Sequence, residues 1–146
     1  MSPIELIVDE SAADSFYSQI FENNSPISLK KDYKNLFGKD YPSIVESWII
    51  RNLYLVITKS PNSLIKLQGI KLTDHKTFIT KVRLPDHSSK SGKSGGYRCL
   101  VLIDFINNRA ILLHIYKKKG RSQKDDITPE EKKALSKVHQ VYRQSL

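Results

Sequence analysis

The spacing of hydrophobic and polar residues changes near the middle of the chain, and the change predicts two kinds of structure. In the first half, apolar residues recur at helical spacing in Ser11–Phe21 and Ser43–Lys59. Ser43 is the expected N-cap of the second helix, because Glu46 follows it three residues later. A short apolar run, Ile4–Val8, predicts an opening strand before these helices.

In the second half, the pattern predicts strands. Apolar and polar residues alternate in Phe78–Leu84, which places Lys81 and Arg83 on one face of a strand. Two further apolar runs, Tyr97–Phe105 and Ala110–Tyr116, predict a second and a third strand. These three runs follow one another closely enough to form an antiparallel meander.

Turn and cap residues complete the predicted order of elements. Asn107 and Asn108 favour a hairpin turn, since asparagine tolerates positive φ. Thr128–Glu131 combines a capping box with proline at the first helical position, which predicts a last helix to about Arg143. Asn23–Tyr41 reads as a loop with room for one short helix. The order of strand, helices, meander and terminal helix indicates one α+β domain over residues 1–146.

Positive charge is concentrated in the second half. The chain has a formal net charge of +9, yet residues 1–29 contain five acidic residues and no Lys or Arg. Between residues 81 and 124, eleven cationic side chains are opposed only by Asp86 and Asp104. The cations are Lys81, Arg83, Lys90, Lys93, Arg98, Arg109, Lys117, Lys118, Lys119, Arg121 and Lys124. A folded sheet with this much positive charge predicts an anionic partner such as RNA or DNA.

Cysteine content and hydropathy indicate a cytoplasmic protein with no membrane association. Cys99 is the single cysteine, so no intrachain disulfide can form, and a buried, inert thiol is expected. The acidic start MSPIELIVDE does not resemble a signal peptide. The longest apolar stretch, Ile44–Ile57, is too short and too charged to span a bilayer.

Metal and nucleotide motifs are not recognisable in the sequence. The four histidines lack the spacing of metal ligands, so we expect no metal and no cofactor. The segment Ser91–Gly96 is not a P-loop, because His87 occupies the position of the required first glycine and a strand follows. His114 is expected to be a hydrogen-bonded sheet residue. Strand alternation places it on the opposite face from Ile111, where it could border the basic surface.

Four segments of the second half together resemble the RelE/ParE superfamily of toxins from type II toxin–antitoxin systems, most closely its HigB-like branch. The segments are KVRLP, GGYRCLVLIDF, RAILLHIYKKK and DDITPEEKKALSKV. The resemblance covers roughly Ser43–Val138. It implies a RelE-like fold, with an N-terminal strand and helices packed on a small antiparallel sheet and a C-terminal helix. Residues 23–41 then look like an insertion relative to the more compact members of the family.

The resemblance implies a metal-independent endoribonuclease, an mRNA interferase that cuts message on the ribosome and inhibits translation. In this chemistry the ribose 2′-OH attacks the adjacent phosphate, which requires a base, cations for the developing charge and a proton for the leaving oxygen. Lys81 matches a lysine of the family and could act as the base, while Arg83 and Arg98 would hold the phosphate oxygens. Lys117 or Lys119 occupies the position of a family cation near the leaving group. Lys81, Arg83 and Arg98 alternate with the apolar residues of their strands, so we expect these three side chains to be partly exposed.

Ribosome and message are the expected macromolecular ligands, together with a cognate antitoxin. Further contacts to RNA or the ribosome are predicted for Lys90, Lys93, Tyr97, Tyr116, Lys118 and Arg121. The two tyrosines could stack on a base or present a hydroxyl group. A helix replaces the short tail that carries a catalytic tyrosine in RelE, so no such role is transferred. The antitoxin is expected to bind DNA and to contact the basic half of the chain.

Two other functions are compatible with the sequence. A ParE-like toxin would share the fold and inhibit gyrase by binding, without catalysis. A non-catalytic nucleic-acid-binding module would need only the positive charge. ParE relatives lack a cationic catalytic cluster, so the combination of Lys81, Arg83 and Arg98 favours the nuclease.

Overall fold

A computed structural model describes residues 3–68, 76–87, 96–118 and 126–146, and these form an α+β fold with a four-stranded mixed sheet. The strands are β1 (Glu5–Ile7), β2 (Thr77–Leu84), β3 (Tyr97–Asp104) and β4 (Arg109–Lys117). The helices are α1 (Glu10–Phe21), α2 (Leu29–Phe37), α3 (Tyr41–Ile44), α4 (Ile50–Lys59) and α5 (Pro129–Gln144). No helix in these ranges is both long enough and apolar enough to cross a membrane.

The sheet has the strand order β1-β4-β3-β2. β2, β3 and β4 pair as the predicted antiparallel meander. β1 instead pairs parallel with β4, which corrects the expectation of a purely antiparallel sheet. The helices α1 to α4 separate β1 from the meander in sequence, and this long connection allows β1 to lie parallel to β4 along its free edge.

The β3–β4 connection confirms the predicted asparagine turn. Asn108 adopts a φ of 54°, a conformation that asparagine tolerates well. The carboxylate of Asp104 accepts hydrogen bonds from the backbone amides of Ile106 and Asn107 and from the hydroxyl group of Tyr142 in α5. The turn is therefore held from both sides, by its own backbone and by the last helix.

The first and last helices begin close to the predicted positions. Asp9 caps α1 by accepting from the amide of Ser11 at 2.8 Å, and α1 starts at Glu10, one residue before the expected start. In α5 both hydrogen bonds of the predicted capping box between Thr128 and Glu131 are present.

The helix predicted from Ser43 begins earlier, and Ser43 is not its cap. A 3₁₀ turn, Gly38–Asp40, leads directly into α3, and a π turn, Val45–Ile49, joins α3 to α4. Ser43 lies inside this continuous helical stretch because preceding turns already supply the hydrogen-bond acceptors that an N-cap would otherwise provide.

Residues 23–41, predicted as a loop with room for one short helix, contain α2, and this helix is part of the core. Ser28 caps α2, and Asp14 of α1 accepts from the amide of Leu29 at 2.7 Å. The side chains of Leu29 and Tyr33 are completely buried, and the Tyr33 hydroxyl donates to the carbonyl of Val8. Even if the segment is an insertion relative to the RelE family, it supplies core contacts in this chain.

We expect Leu29→Ala to lower the free energy of unfolding by about 2–5 kcal/mol, because it leaves a cavity in the core. Lys30→Ala, at the neighbouring exposed position, should change it by less than about 0.5 kcal/mol. Urea unfolding followed by circular dichroism measures both changes. Equal, small effects of the two substitutions would show that α2 does not contribute to the core in solution.

Candidate functional site

The register of the meander places three of the predicted catalytic residues on one face of the sheet. Arg83 pairs with Arg98, which pairs with Tyr116. Two residues before Arg83 in β2, Lys81 pairs with Leu100 of β3, which pairs with His114 of β4. Residues that pair directly across strands share a face. We call this surface, which carries Lys81, Arg83, Arg98, His114 and Tyr116, the cationic face.

A register shift in β4 decides which of its side chains belong to the cationic face. Val101 pairs with Leu112, whereas the preceding Leu100 pairs with His114, so Leu113 is an extra residue on β4. The extra residue reverses the alternation, and His114 therefore shares a face with Ile111. This corrects the predicted alternation, although His114 does border the basic residues as that prediction proposed.

Helix α5 lies across the cationic face. Near its C-terminal end, Tyr142 donates to Asp104, and near its start Glu131 approaches Nε2 of His114 at 3.4 Å. The residues before α5 reach the cationic end of the sheet, where Lys81 forms an ion pair with Asp126. A cleft of about 950 Å³ opens there, with walls that include Lys66, Lys81, Arg83, Asp126 and Lys132.

Asp126 joins Lys81 to Tyr116 within this cleft. Its Oδ1 atom lies 3.1 Å from Lys81 Nζ, 3.4 Å from the Tyr116 hydroxyl and 2.8 Å from the amide of Ile127. Burial raises the pKa of this carboxyl group, but the amide and the lysine outweigh that effect and lower the pKa below its usual value. Burial and the carboxylate raise the pKa of Tyr116 to about 12.

The sequence did not point to a site role for Asp126. Its contacts with Lys81 and Tyr116 were missed because they join residues far apart in sequence. The ITPEE helix start, which placed Asp126 just before α5, was the available signal, but it gave no indication of how α5 crosses the sheet.

The two arginines of the cationic face differ in exposure. Arg83 is exposed, as expected, whereas Arg98 is only 5% exposed, which contradicts the expectation for that residue. The Arg98 guanidinium donates to the carbonyls of Gly96 and Tyr97, both at 3.4 Å. Burial and the nearby Arg83 lower the pKa of Arg98 from its usual value. A guanidinium remains charged even so, and Arg98 thus contributes a fixed positive charge beneath the surface.

His114 is a buried, hydrogen-bonded sheet residue, as predicted. Its Nδ1 atom lies 2.7 Å from Asp32 of α2, and its Nε2 atom lies 3.4 Å from Glu131 of α5. Asp32 also accepts from the amide of Ile115. The ring therefore connects two helices to β4, and its contacts assign it a structural role beside the cationic cluster.

Two of the predicted site residues face the opposite side of the sheet. Tyr97 pairs with Lys117, one residue beyond the row of Arg98, so both side chains point away from the cationic face. Lys117 Nζ lies 2.5 Å from the buried carboxylate of Asp86, which also accepts from the Tyr97 hydroxyl at 3.2 Å. The Tyr97 ring is 1% exposed and packs edge-on against Phe37, so it is not available to stack on a base in this conformation.

The remaining predicted residues are only partly covered by the structure. Lys118 is half-buried, and its amide donates to the carbonyl of Gly96. Lys90, Lys93, Lys119 and Arg121 lie outside the described residues. Within the described ranges, no group of three or more His, Cys, Asp or Glu side chains could hold a metal ion.

Comparisons with known proteins add no assignment to these residues. No family model, curated protein or solved structure matches the chain.

The ion pairs of Lys117 and Lys81 give a matched test of which lysine stabilises the fold. Lys117→Met should lower the free energy of unfolding by about 1–3 kcal/mol, because it removes the lysine cation from the Asp86 carboxylate, which is 3% exposed. Lys81→Met should cost less than about 1 kcal/mol, since its partner Asp126 is 66% exposed. Thermal unfolding measures both changes. If Lys117→Met lowered the free energy of unfolding as much in an Asp86→Asn background as in the wild type, the proposed pairing of Lys117 with Asp86 would be contradicted.

Proposed function

We propose that this chain is the toxin of a type II toxin–antitoxin system, a HigB-like member of the RelE/ParE superfamily that cuts messenger RNA on the ribosome. The observation that carries the proposal is the convergence of Lys81, Arg83, Arg98 and Tyr116 on one face of the sheet beside an open cleft. Distant segments of the chain contribute these residues, and all four are among those that the family resemblance singles out.

The cationic face matches the charge requirements of RNA cleavage by 2′-OH attack. The phosphorane that forms in this reaction carries extra negative charge, and fixed cations stabilise it. Arg83 is exposed enough to contact a phosphate directly, whereas the buried Arg98 contributes its charge from below. Tyr116 retains its proton at neutral pH, and its hydroxyl donates to Asp126 beside the cleft.

The order of elements also supports the family proposal. The chain has an opening strand, then helices, then a three-stranded meander and a C-terminal helix, as the RelE-like interpretation expects. The parallel pairing of β1 and the core position of α2 are the particular features of this chain.

Ribosome, message and antitoxin are the proposed partners. The net charge of +9 favours association with RNA, and Lys66 and Lys132 add positive charge to the walls of the cleft. A DNA-binding antitoxin would silence the toxin by contacting the basic half or by blocking access to the ribosome. In this proposal Lys117 supports the loop around Asp86, and Lys119 is the remaining candidate for the cation near the leaving group.

Expression of the chain without its antitoxin should arrest growth and produce codon-phased cuts in messages, which primer extension detects. Arg83→Ala should reduce cleavage by about 10²-fold or more, because it removes one cation from the transition state. Arg51→Ala, at an exposed position on α4, is the matched control and should leave cleavage unchanged.

The same experiment separates the other candidate functions. Arrest with DNA damage and intact messages would favour a gyrase inhibitor. Association with RNA without cuts or arrest would favour a binding module. Either result would contradict the nuclease.

Ribosome association should weaken steeply as salt concentration rises. Each phosphate that the protein neutralises contributes roughly 0.9 to the slope of log affinity against log salt for a duplex, and less for a single strand. Co-sedimentation with ribosomes across a salt series measures the slope. A flat response would indicate that apolar contacts with ribosomal proteins dominate instead.

A further inference from the structure

The cleavage reaction proposed above requires a base, and the following inference rests on that proposed function. The base must present a lone pair at neutral pH, must be reachable from solvent and must lie beside the cations that hold the phosphate. The groups of the cationic face can be compared against these three requirements.

Most of the groups on the cationic face fail at least one requirement. Arg83 and Arg98 are guanidinium groups and have no lone pair to offer. Tyr116 is 5% exposed, and its raised pKa keeps it protonated at neutral pH. His114 is 3% exposed, and both of its ring nitrogens are directed at carboxylates.

Lys81 also fits the role of a base poorly. Its ammonium group lies 3.1 Å from the carboxylate of Asp126. A lysine ammonium group has three N–H donors and no acceptor, so in this ion pair it has no lone pair to offer. The ion pair is better suited to keep a cation at this position, where it can stabilise a phosphate oxygen.

Asp126 meets all three requirements. Its side chain is 66% exposed, and it lines the same cleft as Lys81 and Arg83. Among the described residues, its hydrogen bonds all go to Oδ1, from Lys81, Tyr116 and its neighbour Ile127. The Oδ2 atom therefore offers a lone pair, while the bonds to Oδ1 fix the orientation of the carboxylate.

We propose that Asp126 is the catalytic base of this site and that Lys81 is a cation that orients Asp126 and stabilises the phosphorane. Oδ2 of Asp126 takes the proton from the ribose 2′-OH of the message, and the 2′-oxygen forms a bond to phosphorus. The bond from phosphorus to the 5′-oxygen breaks, and this oxygen takes a proton from water. Asp126 then returns its proton to the solvent, and the products are a 2′,3′-cyclic phosphate and a 5′-hydroxyl end.

The test uses the full-length chain with 70S ribosomes programmed with a 5′-labelled synthetic message of mixed codons, under single-turnover conditions. Asp126→Asn keeps the Oδ1 acceptor and the shape of the side chain but removes the base. Its cleavage rate should fall by about 10²–10⁴-fold. Co-sedimentation with ribosomes should remain at least as strong as for the wild type, since a negative charge has been removed from a cationic cleft.

Glu130→Gln is the matched control, because it also removes one acidic charge at the exposed start of α5. It should leave the cleavage rate within about threefold of the wild type, a change of roughly 0.7 kcal/mol in the barrier. Thermal unfolding of all three proteins distinguishes loss of the base from loss of the fold.

The pH dependence of the wild-type enzyme is a second measurement that needs no variant. A carboxylate with a lowered pKa is already ionised at pH 5, so the cleavage rate should stay nearly constant between pH 6 and 8. A tenfold rise per pH unit over this range would indicate a base that titrates above neutrality and would overturn the proposal.

The two proposals fail in different ways. A wild-type chain that cuts message, together with an Asp126→Asn variant of equal rate, would reject Asp126 as the base and leave the nuclease function standing. A wild-type chain that binds ribosomes and never cuts would reject the nuclease function, and the role of Asp126 with it.

Discussion

The pairing register of β2, β3 and β4 is the constraint on which the candidate site depends. Arg83, Arg98 and Tyr116 come from three strands, and they form one surface only because they are directly opposite one another. A slip of one residue in either pairing would turn a whole strand over and move its polar side chains into the core. The slip would be costly because it would move the buried Arg98 and Asp104 of β3 to the face that now carries only apolar side chains and Tyr97.

The two faces of the sheet use carboxylates for different purposes. On the far face, Asp86 is almost completely buried and holds Lys117, so this ion pair supports the fold around the end of β2. On the cationic face, Asp126 is largely exposed and contacts Lys81 at the edge of a cleft. An exposed ion pair contributes little to stability, which leaves its two groups free to be selected for chemistry.

The helical half of the molecule positions the site indirectly. Asp32 of α2 and Glu131 of α5 both contact the ring of His114. This single buried histidine therefore connects the first half of the chain, the sheet and the last helix. Together with the hydrogen bond from Tyr142 to Asp104, this connection holds α5 on the sheet, just after Asp126. The segment between α1 and α3 lacks a long apolar run, which is why the sequence indicated a loop with one short helix at most and not its place in the core. Its buried Tyr33 and Phe37 are stabilised by contacts that are distant in sequence.

By itself, the sequence determined the elements whose signals are local: the meander, the asparagine turn, the capping box of α5 and the shared face of Lys81 and Arg83. These depend on spacing and on neighbours a few residues away. Only the tertiary structure decided that β1 pairs in parallel with β4, that Arg98 is buried and which residues of β4 lie on the cationic face. One extra residue at Leu113 brings Tyr116 onto the cationic face and leaves Lys117 on the other, and strand alternation within one segment cannot reveal a register shift that is defined by the partner strand.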